Sequence, residues 1–170
     1  MNEDWFQLTK GNIYFLFFYN LFFLFVGIIL SLAVLADLSL VECYTITSKA
    51  IIGGIGFSLI GSTIYYSRKL YKSCINDLIK QPDSKNNNYS LGVLFYFTLR
   101  PIFAIAFSIL TILLIKGSVN IVTVHETRLN ESFIYLSLAL SFFSGFSAGK
   151  YLTGLDSKGG DLIEKLFSKF

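Results

Sequence analysis

The chain has 170 residues, of which 54% are hydrophobic, 17% are aromatic and only 15% are charged, and its formal net charge is +3. Soluble domains carry about 25% charged residues, so this composition excludes an ordinary soluble domain and indicates a membrane protein. The length allows one domain.

Four segments are long and apolar enough to cross a bilayer core, which takes about 20 mainly apolar residues in a helix. They cover about residues 13–36, 50–67, 92–115 and 132–151. Backbone polar groups in lipid must be satisfied internally, so each segment is expected to be a helix. The predicted fold is therefore an all-α integral membrane protein with four helices. The first segment is interpreted as a retained span, because a signal peptide has an apolar run of only about 7–15 residues.

Basic residues are divided unequally between the two sides of the membrane that these spans define. Ten lie in the N-terminal tail, the loop after the second span and the C-terminal segment. Three lie in the other two loops, and Arg100 within a span accounts for the remainder of the 14. Cytoplasmic loops carry the excess of Lys and Arg, so both termini are predicted to be cytoplasmic, in an N-in/C-in topology.

The second helix is predicted to continue beyond the membrane, from about Ala50 to Lys80. Leu70, Cys74 and Leu78 recur at four-residue spacing, which is typical of one face of an amphipathic helix. Residues 68–80 would then form a cytoplasmic helical extension on the order of 20 Å long, at about 1.5 Å per residue.

The end of the chain is expected to form a separate short helix. Gly159 and Gly160 should end the fourth helix, and Asp161 should cap an amphipathic helix over residues 161–170. Two placements fit this helix: on the inner leaflet of the membrane, or against the extension of the second helix.

Small residues recur at every fourth position in the second and fourth spans. They are Ala50, Gly54, Ser58 and Ser62 in the second, and Ser137, Ser141, Gly145 and Gly149 in the fourth. Residues four apart share one helix face, and small residues there let helices approach closely in lipid. These stripes predict helix packing, either within one chain or between copies in a homo-oligomer, for which a tetramer is one option.

Arg100, followed by Pro101, is the one charged residue in the predicted spans that does not lie at a span end. A charge at this position is costly and marks a functional candidate. If the span begins near Gly92, Arg100 lies about 12 Å deep at about 1.5 Å per residue. Two interpretations stand: the side chain snorkels to lipid phosphate, or it faces inward to line a pore or join a polar network. Polar residues available to such a network are Asn20, Thr98 and Ser108.

A basic cluster follows the second span directly, and its members are Arg68, Lys69, Tyr71 and Lys72. One interpretation is an anchor at the lipid headgroups. The other is a docking surface for an acidic cytoplasmic protein or for anionic lipid.

Residue types that catalysis needs are missing from the predicted spans. The single histidine, His125, lies in a loop, and no three metal ligands share a useful spacing. Apart from Lys150 at the end of the fourth, no span holds an acid, a histidine or a lysine, which excludes intramembrane proteases and proton-coupled exporters that depend on a buried glutamate. We expect no enzyme, no catalytic residue, no metal, no cofactor and no direct contact with nucleic acid.

Two stretches carry a resemblance to a known family. They are Gly61-Ser62-x-x-Tyr65-Tyr66-Ser67-Arg68-Lys69-Leu70-Tyr71-Lys72 in the second helix and Ser144-Gly145-Phe146-Ser147 in the fourth. With the size, the four spans and the topology, they resemble the membrane subunit of the Kiwa anti-phage defence system. The resemblance implies a homo-oligomer in the bacterial inner (plasma) membrane that senses phage attack and works with a cytoplasmic DNA-binding partner.

Two hypotheses for function follow. In the first, an oligomeric sensor or scaffold engages a cytoplasmic effector protein through residues 65–85 and the C-terminal helix. In the second, an oligomeric ion channel or membrane-permeabilising effector is lined by Arg100 and the serines of the fourth helix. The direction in which Arg100 faces separates these two hypotheses.

Overall fold

A computed structural model describes residues 6–38, 43–76, 78–80, 87–122 and 131–167. In chain order the elements are β1 (Phe6–Gln7), α1 (Lys10–Leu35), α2 (Ile46–Ile75), β2 (Ile79–Lys80), α3 (Asn87–Val122) and α4 (Glu131–Phe167). Each of the four helices is long and apolar enough to cross a membrane. The prediction of an all-α, four-helix protein is confirmed in this form, with one pair of two-residue strands added.

Local capping residues determine where the first two helices begin. Thr9 precedes α1, and its hydroxyl accepts a hydrogen bond from the Asn12 N–H at 3.2 Å. Thr45 precedes α2 and accepts from the Ser48 N–H at 3.3 Å. Both are residue types that satisfy the free N–H groups of a first helical turn. After α1, Asp37 adopts a left-handed backbone conformation with φ of 49°, which a helix cannot continue.

Helix α2 is the centre of the bundle, because it packs against each of the other three helices. Gly27 of α1 lies against Gly56, and Val34 lies against Gly53, so α1 and α2 are antiparallel. Helices α2 and α4 are parallel, because Gly54 and Ser58 meet residues in increasing order along α4. The chain therefore runs up and down through the bundle, as four successive membrane crossings require.

The surface of the bundle is largely apolar. Helix α1 buries one narrow face, which includes Leu16, Gly27 and Val34. The rest of it exposes large side chains, among them Phe18 at 64% and Ile29 at 66% exposed. Lipid tails suit such a surface and water does not.

The prediction that α2 continues to Lys80 is wrong in its last turn. The helix ends at Ile75, and the Asn76 N–H donates to the Lys72 carbonyl at 3.0 Å. Beyond it, Ile79–Lys80 pairs in parallel with Phe6–Gln7. The physical reason is competition for backbone hydrogen bonds, since the segment before α1 offers a strand partner that amphipathic spacing does not reveal.

The prediction of a separate helix over residues 161–170 is also wrong for the residues described. Helix α4 runs unbroken from Glu131 through Gly159 and Gly160 to Phe167. Residues 168–170 lie outside the described part of the chain. A glycine inside a helix costs only about 1 kcal/mol relative to alanine, so a glycine pair weakens a helix without necessarily ending it.

Candidate functional site

The two small-residue stripes are buried within a single chain. Ala50, Ser58, Ser62, Ser137 and Ser141 are each 0% exposed. A β-carbon at Gly54 would lie 2.8 Å from the Ser141 hydroxyl oxygen, so the two stripes face each other. The structure therefore contains one of the two predicted alternatives, in which the stripes of α2 and α4 pack against each other within one chain. The predicted use of these residues between copies would require the helices to separate.

The contact between α2 and α4 is made backbone to backbone. A β-carbon at Gly145 would overlap the carbonyl group of Ser58, and one at Gly61 would overlap the Phe142 carbonyl oxygen. Glycine is therefore required at both positions, since any side chain would push the helices apart. This is the close approach that small residues permit between membrane helices. It fills the interior of the bundle between α2 and α4.

Hydroxyl groups link α3 and α4 beside this contact. The Ser108 hydroxyl donates to the Ser141 hydroxyl oxygen at 3.0 Å, and both side chains are fully buried. Thr111 donates to the Phe107 carbonyl at 2.7 Å and lies 3.4 Å from the Ser144 hydroxyl. Ser141 and Ser144 of α4 therefore meet hydroxyl groups of α3 instead of lining an open path, whereas the buried Ser137 hydroxyl has no hydrogen-bond partner.

Arg100 faces the junction of α2, α3 and α4. Its guanidinium carbon lies 4.2 Å from the centroid of the Tyr96 ring and 5.5 Å from that of Tyr66. A cation within about 6 Å of an aromatic ring face is attracted by the ring's charge distribution. One nitrogen, Nη1, is buried and lies close to the place where a β-carbon on Gly149 would stand, at 3.3 Å. Of the two interpretations left open by the sequence, the inward one matches this geometry.

The predicted network around Arg100 is built from different residues than expected. Thr98 donates to the Leu94 carbonyl at 2.9 Å, and Ser108 bonds to Ser141, so both act elsewhere. Asn20 is 1% exposed, and neither polar atom of its amide has a hydrogen-bond partner.

Tyr66 and Tyr96 take the place of that network, and the sequence analysis missed both roles. The Tyr66 side chain is 0% exposed, and its hydroxyl has no hydrogen-bond partner. The Tyr96 hydroxyl accepts from Lys69 Nζ at 3.2 Å. The signal that could have found Tyr96 is its position four residues before Arg100, since residues four apart on a helix are neighbours. We call Lys69, Tyr66, Tyr96, Arg100 and Gly149 the arginine cluster.

The basic docking surface divides into two parts. Arg68 and Lys72 are exposed, and Tyr71 is 51% exposed. Lys69 is half-buried and turned towards Tyr96, with its Nζ 5.0 Å from the ring centroid. Lys69 therefore points in a different direction from the other three, because neighbouring residues on a helix point about 100° apart, and its predicted part in docking stays a prediction. We call Arg68, Tyr71 and Lys72 the outer basic face.

Among the described residues, no group of three or more His, Cys, Asp and Glu side chains could hold a metal ion. Cys43 and Cys74 are both free and exposed. His125 lies outside the described residues. At the other end of the bundle, Asp37 and Lys49 form an ion pair at 2.5 Å. Both line a cavity of about 210 Å³, and Glu131 lines the same cavity.

No family model, no curated protein and no solved structure matches the chain.

Proposed function

We propose that this chain is a multi-pass protein of the bacterial inner membrane that recruits a cytoplasmic effector protein through the outer basic face. The observation that carries the proposal is the exposure of Arg68, Tyr71 and Lys72 at one end of a bundle whose sides are apolar. Exposed cations around an aromatic side chain are suited to an acidic protein surface, because complementary charge steers and orients the encounter.

The orientation follows from the distribution of charge. The end of α2 and the start of α1 lie at the same end of the bundle, where Leu70 packs in one cluster with Leu8 and Leu16. This end carries most of the chain's basic residues, and the positive-inside rule assigns it to the cytoplasm. Both termini are then cytoplasmic, and the outer basic face is available to a soluble partner.

The resemblance to the Kiwa membrane subunit extends the proposal to anti-phage defence. In that role, a homo-oligomer would sense phage attack at the membrane and pass the signal to its bound effector. Because both small-residue stripes are used inside the chain, copies would meet through other surfaces. Exposed apolar side chains on α1 and α3, such as Phe18 and Leu114, offer such a surface.

An ion channel is the second candidate, favoured by the inward direction of Arg100. Within one chain the helices approach too closely to leave a path, so conduction would require a pore between copies. In liposomes containing the purified protein, Arg100→Ala should change ion flux if the protein is a channel. Under the recruitment proposal, neither the natural protein nor this variant raises flux above that of empty liposomes.

The outer basic face is tested by charge reversal. We would express tagged full-length protein in its natural host, purify it in mild detergent, and measure mass and composition by native mass spectrometry. The natural protein should form a defined oligomer with a stoichiometric cytoplasmic protein. The double substitution Arg68→Glu with Lys72→Glu should lower partner recovery about tenfold or more, since like charges now face each other.

Lys116→Glu is the matched control, because it reverses one charge near the far end of α3. Partner recovery should stay unchanged in this variant, and resistance of the host to phage should follow partner recovery across all variants. Equal loss in both variants would contradict a specific role for the outer basic face. A lone monomer without partner in the natural protein would contradict both candidate functions.

A further inference from the structure

Arg100 brings a positive charge into the bundle with no described acid beside it. The acidic side chains that the structure describes are Asp37 and Glu131, and both line the cavity at the opposite end. Among the described residues the only ion pair joins Asp37 to Lys49. The described ring contacts of Arg100 are with Tyr66 and Tyr96, and a ring attracts a cation only weakly. Taking a charge out of water is unfavourable unless the charge is paired, so an anion at this place would be favoured.

Two hydrogen-bond donors of the arginine cluster point to the same place. Arg100 Nη1 and the Tyr66 hydroxyl are buried without hydrogen-bond partners, and Tyr66 is 0% exposed. Both lie beside Gly149, where a β-carbon would stand 2.8 Å from the hydroxyl oxygen and 3.3 Å from Nη1. Arg100 as a whole is only half-buried, so part of the residue lies at the surface of the bundle. A guanidinium of this kind can hold a phosphate oxygen pair by two parallel hydrogen bonds.

A second cation stands on the same tyrosine ring. Lys69 Nζ lies 5.0 Å from the centroid of Tyr96 and donates to its hydroxyl, while the Arg100 guanidinium carbon lies 4.2 Å from that centroid. Tyr96 therefore lies between the ammonium group of Lys69, which is a flexible point charge, and the guanidinium of Arg100, which is a planar set of hydrogen-bond donors. These two kinds of donor are the ones that proteins use for phosphate groups.

We propose that Arg100 and Lys69 bind the phosphodiester of an anionic phospholipid between α2, α3 and α4. Basic pockets between membrane helices on the cytoplasmic side hold such headgroups. The site lies about one helical turn inside the outer basic face, which is the depth of lipid phosphate if that face is at the cytoplasmic surface. This inference rests on the membrane orientation in the proposed function and is independent of effector recruitment.

The test measures lipid retention on the full-length protein. Protein purified in mild detergent is stripped of lipid and titrated with phosphatidylglycerol, and bound lipid is counted by native mass spectrometry. Arg100→Gln should weaken binding about ten- to a hundredfold, the range for loss of charge-assisted hydrogen bonds. Lys10→Gln is the matched control, because it removes one positive charge from an exposed position at the same end of the bundle, outside both the arginine cluster and the outer basic face. Its affinity should stay within about twofold of the natural protein's, as expected for an exposed charge.

Two further variants keep the proposal testable if Arg100→Gln fails to fold. Arg100→Lys preserves the charge but loses the planar fork, and binding should fall several-fold. Lys69→Gln leaves Arg100 in place, and its lipid binding should also fall several-fold. Circular dichroism with unchanged helix content shows that each variant is folded.

Three results would overturn the lipid site. One is equal loss of binding in Lys10→Gln and Arg100→Gln, which would mean that only overall charge matters. Another is equal affinity for zwitterionic phosphatidylcholine. The third is displacement of the lipid by inorganic phosphate at millimolar concentration, which would indicate a soluble anion as the ligand. Loss of partner recovery with lipid binding intact would instead contradict only the recruitment proposal, so the two failures are distinguishable.

Discussion

The two halves of α2 pack by different means. From Ala50 to Ser62, small residues let the α2 backbone meet α4 directly, and Gly56 lies against α1 in the same way. From Tyr65 to Lys72, aromatic and basic side chains take over, and contacts run between rings, cations and hydroxyl groups. The first half packs closely on α4, whereas the second half places the Tyr66 ring and the Lys69 ammonium group beside Arg100 and Tyr96 of α3. We call the close contact of α2 with α4 through the two small-residue stripes the seam. One helix thus combines this seam with a cluster suited to binding.

The largest expected effect comes from breaking the seam. In Gly145→Ala the new methyl group would overlap the Ser58 carbonyl, so α2 and α4 must separate. Overpacking of this kind costs typically about 1–3 kcal/mol, and we expect the upper end because the obstacle is backbone. The measurement is reversible unfolding in mixed micelles of mild detergent and dodecyl sulphate.

Gly117→Ala is the matched control for this prediction. Nothing lies within 4 Å of a β-carbon at Gly117, which is also in a helix. Alanine there should raise the free energy of unfolding by up to about 1 kcal/mol through helix propensity. If both variants had the same stability, the backbone contact between α2 and α4 would be contradicted.

The seam was accessible to sequence reasoning because its signal is periodic. A small residue at every fourth position has one main physical use in an apolar helix, which is close packing. Spacing pointed to the eight residues of the two stripes but not to Gly61, which also meets the α4 backbone, and composition identified all four helices. Spacing alone left open whether the stripes pack within or between chains, because the same surface chemistry serves both.

The arginine cluster was less accessible because it depends on side-chain direction. The sequence marked Arg100 by its cost in a membrane segment, but its partners come from a second helix and from Gly149. Lys69 was grouped with Arg68 by adjacency, although neighbouring residues on a helix point about 100° apart. The end of α2 was misplaced for a related reason, since its strand partner at Phe6–Gln7 is distant in sequence.

A smaller change in the free energy of unfolding is expected for the two tyrosines of the arginine cluster. Its sign should differ between Tyr66→Phe and Tyr96→Phe. Tyr66→Phe removes a buried hydroxyl that has no hydrogen-bond partner, so the free energy of unfolding should rise by about 1 kcal/mol. Tyr96→Phe removes the hydroxyl that accepts from Lys69, so stability should fall by about 1 kcal/mol. Both changes delete one oxygen from a ring packed near Arg100. A fall in both variants would show that the Tyr66 hydroxyl is bonded, with Arg100 Nη1 as the nearest donor.

The smallest effect belongs to the hydroxyl pair at the edge of the seam. Ser108 and Ser141 are joined at 3.0 Å across α3 and α4, with both side chains fully buried. Hydrogen bonds between membrane helices contribute on average about 0.6 kcal/mol in double-mutant cycles. We expect this coupling from Ser108→Ala, Ser141→Ala and the double variant, measured by the same unfolding assay.

Ser118→Ala serves as the control for that cycle, because its exposed hydroxyl donates only to the Leu114 carbonyl within its own helix. Combined with Ser141→Ala, it should give additive changes, since the two sites share no partner. A coupling near zero between Ser108 and Ser141 would mean that backbone packing alone holds α3 to α4. A coupling well above about 1 kcal/mol would mean that this hydroxyl pair contributes as much as a single glycine contact, for which overpacking costs about 1–3 kcal/mol. Hydrogen bonding between α3 and α4 would then stabilise the bundle as strongly as the close packing of α2 on α4.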